Sequence, residues 1–259
     1  MTLPSPEEPP FDPRPLHVRI AADLRDEVMN GELAPGARLP STILLKARFD
    51  ASSATIQKAL GLLKDEGLVV GRAGSAVTVR EHRQRTIRPA ASLALAAADE
   101  PYPWLADAAG PGAHAVSTFV EVREVAPPAD VATALGLQEG DLAVLRQQVM
   151  RIDGEPAELV RSYYPSEIAR GTALAEARKI KGGTPALLAG LGFPPRLGVD
   201  RVSARVPTQE EYRALGLPGD LPVLRTLRTV FSDDRRPVEV TVMVKSGHLY
   251  ELRYEFPPS

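Results

Sequence analysis

The chain has 259 residues, 44% hydrophobic and 25% charged, enough for two domains and too apolar for an unstructured chain. It has no cysteine, which excludes disulfides, thiolate metal sites and cysteine nucleophiles. The net charge of −2 hides an asymmetry: residues 38–88 hold ten basic and four acidic residues, so the remainder carries −8. That split suits a nucleic-acid surface on one module, and from charge alone a merely solvated surface is an equal explanation.

Residues 1–13 contain Pro4, Pro6, Pro9, Pro10 and Pro13 and are expected to form a disordered leader. Leu16, Ile20, Leu24 and Val28 then recur at four-residue spacing, an amphipathic helix stopped by Gly31. Ser41 caps a short helix to about Phe49, with Leu44 and Leu45 inward. Ser52 or Ser53 caps a longer one to Glu66, whose Ile56, Ala59, Leu60 and Leu63 form an apolar stripe. Two β-type runs, 68–70 and 76–79, flank a basic tip. Helix, short helix, tight turn, helix and β-ribbon is the order of a winged helix-turn-helix, assigned to residues 14–80. Residues 81–98, first basic and then Ala-rich, are expected to be a linker.

Residues 99–259 contain a repeat. Ala134-Leu135-Gly136-Leu137 returns as Ala214-Leu215-Gly216-Leu217, Gly140-Asp141-Leu142 as Gly219-Asp220-Leu221, and Pro156-Ala157-Glu158 as Pro237-Val238-Glu239. Each copy reads as strand, helix and β-hairpin, the second helix opening on a Thr208/Glu211 capping box. Two such units predict one pseudo-symmetric α+β domain, and the Gly-Asp-Leu alignment makes Arg225 the counterpart of Arg146.

His17, His82, His114 and His248 share no metal-ligand spacing, and no nucleophile motif, P-loop or dinucleotide fingerprint is present. The chain therefore reads as a non-enzyme, with no catalytic residue, metal or cofactor expected. No apolar run approaches the ~20 residues that span a bilayer, and the start is unlike a signal peptide, so no membrane partner and a cytoplasmic location are expected. The helix from Ser53 is more informative. Gln57 suits a bidentate bond to adenine, Ser53 and Thr55 bases or phosphates, and Ala54 a thymine methyl, while Gly61 permits close approach. Lys46, Lys58, Lys64 and Arg72 suit phosphates, and Arg72 also suits a minor groove. With Arg38, Ser52 and Gly74, these residues form the candidate interface with a double-stranded DNA operator.

Gly31, Leu33, Pro35-Gly36, Arg38-Leu39-Pro40-Ser41, Ser52-Ser53-Ala54-Thr55-Ile56-Gln57-Lys58-Ala59-Leu60 and Gly67-Leu68-Val69 resemble the DNA-binding domain of the GntR family of bacterial regulators. Residues 91–259 resemble the UTRA effector domain of its HutC-type branch, with a chorismate-lyase-like fold, through Gly154-Glu155-Pro156, Ser162-Tyr163-Tyr164-Pro165 and Arg236-Pro237-Val238-Glu239. Departures are visible. Ser41-Thr42-Ile43-Leu44-Leu45 is uncharged where the family often has Ser-Glu-Arg-Glu-Leu, and Ser53 and Gln57 stand where Arg is common, so no operator sequence carries over.

The resemblance implies an effector cleft lined by Arg146, Gln148, Ser162, Tyr164, Glu239 and Lys245. Arg146 would meet an anionic or polar ligand, or else form a structural salt bridge to Glu158 or Glu239. It also implies a homodimer, and a repressor released from a palindromic operator by a small molecule. Two rivals stand beside this reading: a chorismate-lyase-like enzyme with a DNA-binding head, and a DNA-binding protein whose second domain only dimerises.

Overall fold

The computed structural model describes residues 12–71, 76–81, 84–89, 114–219 and 221–256. Arg72 and Gly74, nearly all of the expected leader, and the linker apart from residues 81 and 84–89 lie outside them. Two compact units divide at Arg83 and Gln84.

In the first unit, α1 (Leu16–Asn30) buries Ile20, Ala21, Leu24 and Val28 and ends where Gly31 turns left-handed at φ 94°. Helix α2 (Thr42–Phe49) is capped by Ser41, whose Oγ accepts from Leu44 N at 3.3 Å. Only Leu45 of α2 is buried; Leu44 is 62% and Ile43 79% exposed, so Leu44 does not point inward as expected. Neighbouring helical positions diverge by about 100°, and a helix of two turns offers a single line of contact. Helix α3 (Ser53–Asp65) is capped by Ser52, whose Oγ accepts from Thr55 N at 3.2 Å. Its Ile56, Ala59, Leu60 and Leu63 are buried as the stripe predicts. Arg25 clamps Glu66 at 2.8 and 2.6 Å, tying α1 to the end of α3. Strands β1 (Val69–Val70) and β2 (Thr78–Val79) pair antiparallel, and Leu39 N to Val77 O with Val79 N to Ala37 O sets Arg38 beside this ribbon.

The second unit begins earlier than the linker assignment allows. Strand β3 (Arg85–Ile87) pairs in parallel with β10 (Tyr250–Leu252), and Ile87 is buried with Met150, Ile152 and Tyr250. The basic residues around Thr86 and Ile87 make a strand look like a tether, although its β-branched pair fits a sheet.

A six-stranded antiparallel sheet follows, formed by β4 (Ala115–Val125), β5 (Ala143–Ile152), β6 (Glu155–Pro165), β7 (Leu197–Arg205), β8 (Val223–Phe231) and β9 (Pro237–Ser246). Its order is β4-β5-β6-β9-β8-β7, two three-stranded copies meeting at β6 and β9. Helices α4 (Ala129–Leu135) and α7 (Gln209–Leu215) cover one face, over Leu145, Val149, Leu159, Tyr163, Leu227 and Val242. Part of the opposite face is covered by α5 (Ser166–Ala169), a 3₁₀ turn (Ala173–Ala175) and α6 (Gly183–Gly190), packed on Val144, Tyr164, Val230 and Val238. The α7 capping box is present: Thr208 Oγ1 accepts from Glu211 N, and the Glu211 carboxylate from Thr208 N.

The repeat holds, but its phase differs by one residue from the Gly-Asp-Leu alignment. Leu135 and Leu215 end equivalent helices and Ala143 and Val223 begin equivalent strands, so Arg146 corresponds to Thr226 and Arg225 to Leu145. Arg225 bonds Asp130 of α4 at 2.5 Å on the helix-covered side, opposite Arg146.

With separate cores, the units should fail separately. Leu24→Ala should cost the head ~2–5 kcal/mol as a buried large-to-small change. Calorimetry should show the head's transition lowered and that of residues 84–259 unmoved.

Candidate functional site

On the head, Ser52, Ser53, Ala54, Gln57 and Lys58 are exposed along the first two turns of α3, with Thr55 and Lys64 half-buried and Arg38 and Lys46 exposed beside them. The N-terminal end of a helix carries unpaired N–H groups and a positive dipole end, and here its side chains are short and polar. Thr55 is partly committed, because its Oγ1 shares a 2.9 Å hydrogen bond with the capping Ser52 Oγ. Gln57 Nε2 donates to Thr42 Oγ1 at 3.4 Å, which sets the start of α2 beside the reading face. Exposed Ile43 and Leu44 thus flank it, and the sequence reasoning left them out.

The second polar surface lies on the sheet face away from α4 and α7. Register pairs Arg146 with Ser162, Ser162 with Thr241, Thr241 with Arg228, and Arg228 with Asp200, a row across five strands. Gln148, Tyr164, Glu239 and Lys245 share that face by strand alternation, so all six expected effector residues are on one side. Most are already engaged. Arg146 Nη1 donates to the carbonyls of Ala173, Leu174 and Glu176 at 3.2, 2.8 and 2.8 Å, and Nη2 to that of Arg178 at 2.8 Å. Among the described residues its ion pair with Glu158 or Glu239 is not seen; Glu158 pairs with Lys245 Nζ at 2.5 Å, and Glu239 accepts from Thr241 Oγ1 at 2.6 Å. Ser162 Oγ and Thr241 Oγ1 bond at 2.8 Å, and Gln148 accepts from Ser117.

Burial shapes the chemistry of this face. It raises the pKa of the Glu239 carboxyl, against opposing pulls from Thr241, Tyr164 and Arg228. It also holds the Tyr164 phenol well above its ordinary range, with the neighbouring Glu239 charge adding to the effect. Tyr164 Oη is buried near Ser162 and Thr184 yet meets no well-aligned hydrogen-bond partner among the described residues.

At the β8–β9 end the face opens into a shallow crevice of about 230 Å³, part of it open solvent. Of the six expected residues only Lys245 lines it; Asp200, Thr226 and Arg228 were missed. Alternation along β8 would have found Thr226 and Arg228, had the repeat been aligned in its true phase. Arg228 holds Asp200 bidentately at 2.6 and 2.7 Å, and Tyr254 Oη donates to Asp200 at 3.2 Å. Burial, with the Asp200 carboxylate beside it, pushes the Tyr254 phenol up to about 12.

Residues 111–251 match the UTRA domain, and residues 16–79 match the bacterial regulatory proteins of the gntR family. The chain belongs to the GntR family, in its UTRA-bearing, HutC-type branch. It is 28% identical over 252 residues to the HTH-type transcriptional regulator SCO4628 of Streptomyces coelicolor, covering 92% of this chain and 91% of that protein. Identity to the Escherichia coli regulator GgaR is 22% over 244 residues, covering 92% and 90%. A solved GntR-family transcriptional regulator superposes with TM-score 0.59 at 25% identity, over 95% of this chain and 99% of that one. PhnF from Mycobacterium smegmatis shares the fold, with TM-score 0.58 at 18% identity over 93% and 100%. As a GntR regulator with a UTRA domain, the chain is a ligand-responsive, DNA-binding transcription regulator of α+β architecture. Among the described residues, no helix is long and apolar enough to cross a membrane.

Two predictions follow from these surfaces. Gln57→Ala should cost ~1–3 kcal/mol on a selected duplex and relax preference at one base pair, whereas Lys58→Ala should weaken all duplexes alike and lower the salt slope by about one. Binding titrations at several salt concentrations separate the two, and equal losses on selected and random DNA would rule out base reading by Gln57.

The second concerns pH. Folded Glu239 keeps its proton to higher pH than the unfolded chain does, so stability falls as pH rises from the ordinary glutamate range through the raised value. Glu239→Gln should remove that fall, flattening the decline in Tm as pH rises above the ordinary glutamate range.

Proposed function

We propose that this UTRA regulator is a cytoplasmic homodimer that represses transcription from a two-fold operator and lets go when a small molecule occupies the polar sheet face. The exposed half of α3 and the flanking Arg38, Lys46 and Lys58 would bind DNA, with Arg72 and Gly74 as further contacts proposed from the sequence. A single head gives a small interface, and two heads on one operator multiply their affinities. The observation that carries the effector half is the row of buried polar residues on a sheet face where an ordinary two-layer domain would be apolar.

Within this reading Arg146 is a positioning residue. Its guanidinium donates to four carbonyls of residues 173–178, the stretch that leads into α6, and so fixes the cover over Tyr164 and Ser162. Tyr164, Glu239, Ser162 and Thr241 would form the inner wall, Gln148 one flank, and the crevice beside Lys245 the entrance. Ligand binding would shift the population of this cover and the spacing of the two heads.

The test is selection of duplexes from random DNA by the full chain, with sedimentation of the protein alone and with its selected site. A dimer binding inverted half-sites is expected; a monomer on a single half-site would contradict the proposal. Arg146 makes a sharper forecast. Arg146→Ala should lower stability by about 2 kcal/mol, because it removes the charge-assisted hydrogen bonds that hold residues 173–178, the one to the buried Leu174 carbonyl among them. Arg146→Lys should lose most of the same, since one ammonium cannot span four acceptors. Thermal melts would decide: a variant as stable as the parent would return Arg146 to the role of ligand contact.

A further inference from the structure

The crevice at the β8–β9 end is not equipped for an anion. Its wall carries two cations, Arg228 and Lys245, and each is already matched, by Asp200 at 2.6 and 2.7 Å and by Glu158 at 2.5 Å. Further along the face, Arg146 is held by four carbonyls. No other cation can come from the undescribed stretches of this unit, because residues 90–113, 220 and 257–259 contain no lysine or arginine. Lys245 and Glu158 are both 2% exposed, so drawing the ammonium toward an anionic ligand would leave a buried carboxylate uncompensated.

What the wall leaves unmatched is neutral. Thr226 lines the crevice at 2% exposure, and its Oγ1 is buried with no hydrogen-bond partner among the described residues. A buried hydroxyl without a partner carries a desolvation cost that a ligand group can relieve. Around it Ile87, Met243 and Leu252 offer an apolar surface. Only a small part of the crevice is enclosed and the rest is open solvent, so a single polar group reaches Thr226 and most of the occupant stays toward water.

We propose that this crevice binds an uncharged small molecule with an apolar body and one hydroxyl or amide group, which bonds to Thr226. Resting on the reading of the polar face as the effector site, this occupant is the effector, and of the anionic or polar ligand expected at Arg146 the proposal keeps only the polar, uncharged kind. Arg228–Asp200 and Lys245–Glu158 then act as closed pairs that exclude ions of either sign.

The full chain with ¹³C-methyl methionine supplies the test, since Met243 lines the crevice and Met29 of α1 serves as the control in the head. Three probes with one body are titrated: cyclohexylmethanol, cyclohexanecarboxylate and cyclohexylmethylammonium. The alcohol should move the Met243 methyl saturably, leave Met29 still, and bind at least about tenfold tighter than either ion. Thr226→Val should fold as the parent does and lose most of that advantage. The proposal is overturned if either ion equals the alcohol, if Thr226→Val changes nothing, or if no probe moves Met243. Operator affinity on the same samples is a separate readout. A Met243 shift without any change in DNA binding would uphold the site and refute its role in the switch.

Discussion

A guanidinium taken out of water must find acceptors, and one side of the central sheet is organised around that requirement. Arg146 reaches the carbonyls of residues 173–178, a stretch between two short helices, and in satisfying itself it ties that stretch to the sheet. The stretch in turn positions α6, whose Leu188 packs with Tyr164, Val230 and Val238. One buried charge thus fixes the roof over half of the polar face. The other charges there are closed pairs, which explains how a sheet can bury arginine, lysine, aspartate and glutamate side by side. Such pairs add little net stability.

The head solves a different problem. Its core is ordinary, apolar stripes of α1 and α3 against Leu45, and its outer surface must stay polar, shallow and free to meet a duplex. The caps serve both ends. Ser52 spends its oxygen on Thr55 N and shares a bond with the Thr55 hydroxyl, which leaves Ser53 and Ala54, beside Gln57 on its long bond to Thr42, as the outer corner. The uncharged start of α2 turns Ile43 outward, and apolar contact is one of the ways a thymine is distinguished in the major groove.

Much of this was legible in the chain. The limits of α1, α2 and α3 follow from Ser41, Ser52, Gly31 and a four-residue apolar rhythm, because caps and periodicity are local signals. Strand alternation put all six expected effector residues on one face for the same reason. Two of the misses depended on contacts remote in sequence. Strand β3 exists because β10, more than 160 residues later, offers its edge. The carbonyl partners of Arg146 lie in a turn with no pattern of its own. The slip in the repeat came from trusting a Gly-Asp-Leu loop motif, whereas the fold is registered by the helix ends at Leu135 and Leu215. In a strand, an error of one residue moves a side chain to the opposite face, and it cost the recognition of Thr226 and Arg228.

The central claim is that the head and the polar sheet face are energetically linked, and linkage is reciprocal: a site that alters DNA binding must itself be altered by DNA. Hydrogen exchange of the full chain, with and without a duplex selected by the protein, reads this without knowing the effector. The account predicts altered protection in residues 173–178 and in strands β3, β8 and β10 when the duplex is bound, beyond the protection gained in residues 16–79. Changes confined to residues 16–79 would contradict it.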